Sequence, residues 1–320
     1  MTRAVRVRSG SSGREPFVFR VKSPEGLPGR HAENMAAAIN PGEKLHYLIY
    51  SPMWNGDKTP FGLEAIPASH AVAVTDRRFV LSIDSHVELQ PPTLEEVPFE
   101  RLGGVELGSA LLLGWLVFRI LEEDTVATKA LLFRATGSRH FEAAVRAYRS
   151  LSAGIGRESP STPAITWAEA RARAPHSFSE IGPLLLEEEQ PQSCEFSPPV
   201  WRQTRAPRKG WISLAPASFF LLTTHGLFSV VEESGPCPDV MGYGLNVDLF
   251  QYPAIQWVEL ADPTDSSSPC ATLRVVLACE SSSWHMDFPV AGGRSAEMRR
   301  FASLANELVS RGEYNAVRRS

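Results

Sequence analysis

No stretch of this chain is apolar for long enough to cross a bilayer as a helix. The longest run, Ala110–Phe118, is about half of the roughly 20 residues a span requires, and it reads as one or two buried strands. Cysteine is scarce. Cys194, Cys237, Cys270 and Cys279 form no C-x-x-C pair, so reduced thiols in a cytoplasmic compartment are expected rather than a disulfide framework. Met1–Arg14 is basic but lacks the apolar core of a secretory signal. Catalytic signatures are missing too: there is no G-x-S-x-G elbow and no glycine-rich phosphate loop of either nucleotide-binding type. His31, His46, His70, His86, His140, His176, His225 and His285 never fall within four residues of one another, which leaves no local metal pair. His285 alternates along a strand and reads as an exposed or hydrogen-bonded strand histidine rather than a ligand. No cofactor, no metal and no enzymatic activity are expected.

Charge is uneven along the chain. Residues 1–41 carry seven Lys/Arg against three Asp/Glu, whereas residues 184–320 carry 11 against 16, and the whole chain is at -4. An acidic body argues against nucleic acid, which would need a basic face. One cluster runs against that trend: Arg202, Arg205, Arg208 and Lys209 lie between Trp201 and Trp211. Arginine forks grip phosphate bidentately and tryptophans suit a membrane interface, so these four are the candidate anion-binding residues, against the plainer reading of a solvated loop. Glu122-Glu123-Asp124 reads as a solvated hairpin turn and Glu187-Glu188-Glu189 as a solvated approach to a strand. Trp54, Trp201, Trp211, Trp257 and Trp284 are expected mostly to supply packing area in the core.

What the chain does contain is an order of elements that comes twice. Ala71–Ser82 reads as strand, tight turn, strand, and laid without a gap over Trp211–Leu222 it brings Val72 onto Ile212, Val74 onto Leu214, Phe79 onto Phe219 and Leu81 onto Leu221. Ile39-Asn-Pro41 matches Ile181-Gly-Pro183, and Leu102–Leu107 matches Ile255–Leu260. Val97–Leu107 reads as one strand kinked at Gly103-Gly104, followed by a meander of Leu116–Leu121 and Ala130–Arg134. Each series ends in an amphipathic helix. The first turns Phe141, Ala144, Val145, Tyr148 and Leu151 to one face, and the second, Ser295–Ser310, turns Met298, Phe301, Leu304, Ala305 and Leu308. Between the series, Thr166 and Glu169 form a capping box opening a helix that Pro175 must end. The expected organisation is a loosely attached segment 1–30, a first domain 31–152, a linker 153–165 clearest at Gly154–Pro163, and a second domain 166–320.

Pro41-Gly-Glu43, the hairpin Val74–Phe79, the Val97–Glu106 strand and the closing helix together resemble the bacterial pleckstrin-homology-like (PH-like) domains, well over residues 40–152 and more weakly over 181–310. The resemblance implies a mainly β fold: two tandem units, each a curved antiparallel sheet or partly open barrel closed by a C-terminal helix. Two features depart from the family. Neither closing helix carries the tryptophan of its eukaryotic members, and Pro216-Ala217 stands where the first hairpin has Asp76-Arg77. The implied role is binding or scaffolding of a protein partner. A peripheral adaptor holding anionic phospholipid through Arg202–Lys209 is the alternative, and an enzyme with a site between the domains is the third reading.

Overall fold

The computed structural model describes residues 17–55, 65–66, 68–85, 91–153, 165–204, 210–235, 237–238, 242, 244–262, 268–279 and 282–317. Their fold is mainly β, in antiparallel sheets that remain open, with a helix at the C-terminal end. The expected linker Gly154–Pro163 lies outside the described residues.

In the first half, β1 (Phe19–Arg20), α1 (His31–Ala38) and β2 (Leu45–Ser51) come first. The short pair β3 (Trp54–Asn55) and β4 (Ala65–Ile66) precedes β5 (Ser69–Thr75), β6 (Arg78–Asp84) and β7 (Thr93–Pro98). The larger strands form a sheet in the order β1-β2-β5-β6-β7. Residues 17–30 are not loosely attached as expected. Val21 and Leu27 are buried because β1 pairs along β2 and α1 folds its Met35 and Ala38 onto the same layer, and Val18 is buried in the core that holds Val72 and Phe79. The expected single strand Val97–Leu107 is in fact two. Pro98, with its fixed φ and missing N–H, ends the ladder, one 3-10 turn covers Phe99–Arg101, and β8 (Leu102–Ala110) starts in a different sheet. Gly103 marks a bulge rather than the break, where the pairing of β8 with β9 (Leu113–Leu121) slips between Leu102 and Gly104. After the turn at Glu122–Thr125 comes β10 (Val126–Arg134), then α2 (Ser138–Ala153), which buries the predicted Phe141, Ala144, Val145 and Tyr148.

The second half opens with α3 (Trp167–Arg173), where both bonds of the predicted capping box are present between Thr166 and Glu169. Pro175 ends α3 and also starts α4 (Pro175–Ile181), because proline is tolerated in a first helical turn. Then follow β11 (Pro191–Ser197), β12 (Val200–Gln203), β13 (Trp211–Ala215), β14 (Ser218–Thr223), β15 (Gly226–Glu232) and β16 (Gly244–Gln251). The expected hairpin over Trp211–Leu222 does not form. β13 pairs with β12 in a separate ribbon, while β14 lies between β11 and β15. The hairpin of this half is therefore β14–β15, one strand later than the sequence alignment placed it. β17 (Ile255–Ala261), β18 (Cys270–Ala278) and β19 (Ser283–Ala291) make a three-stranded sheet, and α5 (Ser295–Val317) packs Met298, Phe301, Ala305 and Leu308 on the core.

One sheet contains strands of both halves, in the order β10-β9-β8-β16-β15-β14-β11. At its centre β8 runs antiparallel to β16, with Leu107 opposite Val247 and Glu106 opposite Asp248. Strand alternation divides β14–β16 between two cores. Phe219, Leu221, Phe228, Val230, Val247 and Leu249 join the core that holds Val72, Phe79 and Tyr148 of the first half. Phe220, Leu222, Leu227 and Phe250 face the other way, onto β17–β19 and α5. Each such side chain contributes about 1.5–3 kcal/mol on burial, so this sheet stabilises both layers at once. Of the tryptophans expected in the core, Trp284 packs half-buried against that of β17–β19 and α5, whereas Trp257 and Trp201 are half-buried and Trp211 is exposed, the last two on the separate ribbon.

Candidate functional site

Of the four cations singled out in the sequence, Arg202 lies on β12 and is exposed; Arg205, Arg208 and Lys209 lie outside the described residues. The β12–β13 ribbon holds Trp201 opposite Ser213, Arg202 opposite Ile212 and Gln203 opposite Trp211. Its outer end is closed by Thr204, whose N–H donates to Gly210 O at 2.9 Å and whose hydroxyl accepts from Gly210 N at 3.0 Å. Its base is held by the Ser213 and Ser234 hydroxyls, 2.6 Å apart.

Beside the base of the ribbon is a cleft of about 270 Å³, lined by Glu180 and His176 of α4, Glu232 and Glu233 at the end of β15, and Trp201. Ser177 Oγ donates to Glu232 Oε1 at 3.1 Å, and His176 Nδ1 is 3.9 Å from the same oxygen. Glu142 of α2 stands behind Glu180; burial first, and the Glu180 charge second, raise its carboxyl pKa. The lining thus brings several carboxylates together beside Trp201, an arrangement that favours a cation through charge. The sequence reading missed this site, because its residues come from segments some 20 to 50 positions apart with no motif among them.

Charged clusters elsewhere hold structure. Glu43 accepts a bidentate pair from Arg78 at 2.9 and 2.8 Å, a bond from Thr75 Oγ1 at 2.6 Å and one from Asn40 N at 3.2 Å; the bond from Arg78, outweighing burial, holds its pKa near 2. Glu189 has the same surroundings. Thr223 Oγ1 donates at 2.5 Å and Leu186 N at 2.9 Å, but here the guanidinium belongs to Arg149 of α2, at 2.9 and 2.5 Å. Burial raises the Glu189 pKa, and the Arg149 charge and these bonds outweigh it, leaving the carboxyl below its ordinary value. The expectation that Glu187–Glu189 is solvated fails for Glu189, which is 1% exposed. Glu122-Glu123-Asp124 is an exposed hairpin turn as expected.

At the β8–β16 junction Arg119 bonds Glu106 at 2.5 Å and stands 2.9 Å from Asp248. Burial, opposed by Arg119 and reinforced by Glu106, raises the Asp248 pKa to about 6. His31 places its ring nitrogens 2.8 and 2.9 Å from the hydroxyls of Ser69 and Ser82. A serine–imidazole contact can activate a nucleophile, but all three side chains are buried, and the set instead pins α1 to β5 and β6. Burial pushes the Cys194 thiol up to about 11, which makes it a poor nucleophile.

No protein-family model matches the chain, and no curated protein matches its sequence. Among the described residues no helix is long and apolar enough to cross a membrane, and no group of three or more His, Cys, Asp or Glu is gathered as a metal site would need.

Proposed function

We propose that this chain is a non-catalytic binding protein built of two PH-like units in tandem, and that the cleft beside Trp201 receives a lysine or arginine side chain of a protein partner. The cleft carries this reading: Glu180, Glu232 and Glu233 line the same space of about 270 Å³, with Trp201 among its other lining residues. Supporting the tandem units, seven large strands and a helix follow one another in the same order in each half, with a 3-10 turn at Phe99–Arg101 in one and at Tyr252–Ala254 in the other. Thr75 and Thr223 each cap a β-turn, accepting from the N–H groups two and three residues on and donating to Glu43 and Glu189 respectively. Four free cysteines favour a cytoplasmic setting.

Glu180 and Glu233 are exposed and Glu232 is half-buried, so binding through them is weak and salt-sensitive. Titration of the full chain with an arginine-rich peptide, against the same peptide carrying citrulline, tests the reading. Affinity for the charged peptide is expected to fall with added salt and to drop in Glu232→Gln/Glu233→Gln. Equal affinity for both peptides, or no change in the variant, would refute it.

A further inference from the structure

We propose that this chain forms a twofold homodimer through β10, pairing the outer edge of that strand antiparallel with β10 of a second copy. Among the described residues, the sheets of three or more strands end in β1, β7, β10, β11, β17 and β19. An open edge presents unpaired N–H and C=O groups, and every one of these edges but β10 is shortened, interrupted or covered. β1 has two residues. β7 carries Glu95 and Glu96 and stops at Pro98. β11 starts at Pro191 with a bulge, and Arg173 of α3 donates to its Cys194 O at 2.7 Å. Asn306 of α5 bonds both the N–H and the C=O of Val258 in β17, at 2.7 and 2.8 Å. β19 contains Pro289, and its Ala291 N donates to Ser197 Oγ at 2.8 Å. β10 runs for nine residues with no proline and no slip in its register. Its one charge before Arg134 is Lys129, which is turned to Glu95 at 3.1 Å.

The surface around this edge is apolar. Leu111, Leu112 and Leu132 are three of the seven large apolar side chains exposed among the described residues. Leu132 stands opposite Trp115 on the outer face of the sheet, two residues from the exposed Ala130. Leu111 and Leu112 form the tip between β8 and β9, which is tied to the end of β10 by Ala135 N donating to Leu112 O at 2.9 Å. Leu111 has a φ of 53°, a left-handed conformation that costs a leucine more than a glycine. Strain that displays two apolar side chains to water persists where a contact offsets it. Over β14–β16 the same face of the sheet is covered by β17–β19 and α5, whereas Ala130 and Leu132 remain exposed.

The order of charges along β10 selects the occupant. The exposed acidic turn Glu122-Glu123-Asp124 precedes the strand and Arg134 ends it. An antiparallel copy centred on Ala130 sets each Arg134 opposite Val126, beside the acidic turn of the other copy, on both sides of the axis. Lys129 then falls opposite Leu131 and Thr128 opposite Leu132, so no like charges face each other, and the small Ala130 meets itself at the axis. A parallel copy would set like ends together.

The test is sedimentation velocity of the full chain across a dilution series, with amide hydrogen exchange measured at both ends of the series. Wild type is expected to be a dimer that dissociates on dilution, and the amides of β10 to exchange more slowly in the dimer. Ala130→Lys sets two lysines face to face at the axis and is expected to weaken association about tenfold or more. Arg134→Glu should weaken it as well, and adding Glu123→Arg/Asp124→Arg to that variant should restore it. Leu111→Gly relieves the positive φ, so the monomer is expected to melt no lower than wild type while the dimer weakens. That combination separates a contact from a folding role. A monomer at every concentration, a dimer undiminished by Ala130→Lys, exchange in β10 that ignores concentration, or a charge swap without recovery would each overturn the proposal. The outcome is separable from the cleft reading, because Glu232→Gln/Glu233→Gln is expected to dimerise as wild type does.

Discussion

Arg149 and Glu189 meet in a bidentate ion pair in which each residue is only 1% exposed, although one belongs to the helix that closes the first half and the other to the turn before β11 in the second. The guanidinium also lies 4.6 Å over the Phe228 ring and donates to Leu184 O at 2.5 Å. In the first half the same place beside a glutamate and a threonine is filled locally, by Arg78 of the hairpin itself. In the β14–β15 turn the residue three after Thr223 is Gly226, and the cation comes from α2.

Breaking that pair from one side leaves a buried charge without its partner. Arg149→Met is expected to cost about 3–5 kcal/mol in urea denaturation, whereas Arg149→Met combined with Glu189→Met should recover most of the loss. A double variant no more stable than the single one would show that the damage comes from packing and not from the stranded carboxylate.

Two carboxylates give stability opposite slopes with pH. Glu43 is lowered from 4.5 to about 2, so its contribution is complete above pH 4.5 and is lost as pH falls through 2. Asp248 is raised from 3.8 to about 6; the folded state holds that proton the more tightly, and the stabilisation present below pH 3.8 disappears as pH rises through 6. In a series of denaturation midpoints against pH, Asp248→Asn should flatten the decline between pH 3.8 and about 6 and leave the acid limb unchanged. Glu43→Gln should do the reverse.

At Gly226 a Cβ atom would come within 2.4 Å of the Phe250 carbonyl oxygen, which is backbone and cannot turn aside. Gly226→Ala is expected to lower stability by about 1–3 kcal/mol, as overpacking does. Gly182 has helical φ and ψ and nothing within 4 Å, so Gly182→Ala should be neutral or stabilise by about 0.4–1 kcal/mol. Thermal melts of the two variants would separate crowding from a general intolerance of alanine.

A fragment covering residues 17–153 lacks β14–β16, α3 and α4, whose Phe219, Leu221, Phe228 and Val230 complete the core around Phe79 and Tyr148. It is expected to show poor dispersion in NMR spectra and to bind a hydrophobic dye, and to become ordered when residues 165–320 are supplied in trans. A well-dispersed spectrum of the fragment alone would contradict this dependence.

Much of the fold was legible where one local rule decides. The Thr166–Glu169 box, the apolar faces of the two closing helices, and the β9–β10 meander all stand where periodicity and capping chemistry put them. Pairing was not legible, because alternation marks a strand without saying which neighbour it bonds. Trp211–Ala215 and Ser218–Thr223 look like the two arms of a hairpin but belong to different sheets, and β15 and β16 were left unassigned. Glu189 was misread for the same reason: its partner Arg149 is 40 positions away, and nothing local distinguishes it from the exposed Glu187. The cleft needed the fold itself, since only the packing of α4 beside β15 brings Glu180 to Glu232 and Glu233.

The sheet that joins β8 to β16 also fixes when the first half can be finished. On a ribosome adding about 5–20 residues each second, the strands from β14 to β16 emerge roughly 5–20 s after α2. Until then the apolar face of β8–β10 and the free edge of β8 have no native partner within the nascent chain. A chaperone holding that surface during synthesis would have work to do here that a chain of two self-sufficient domains would not give it.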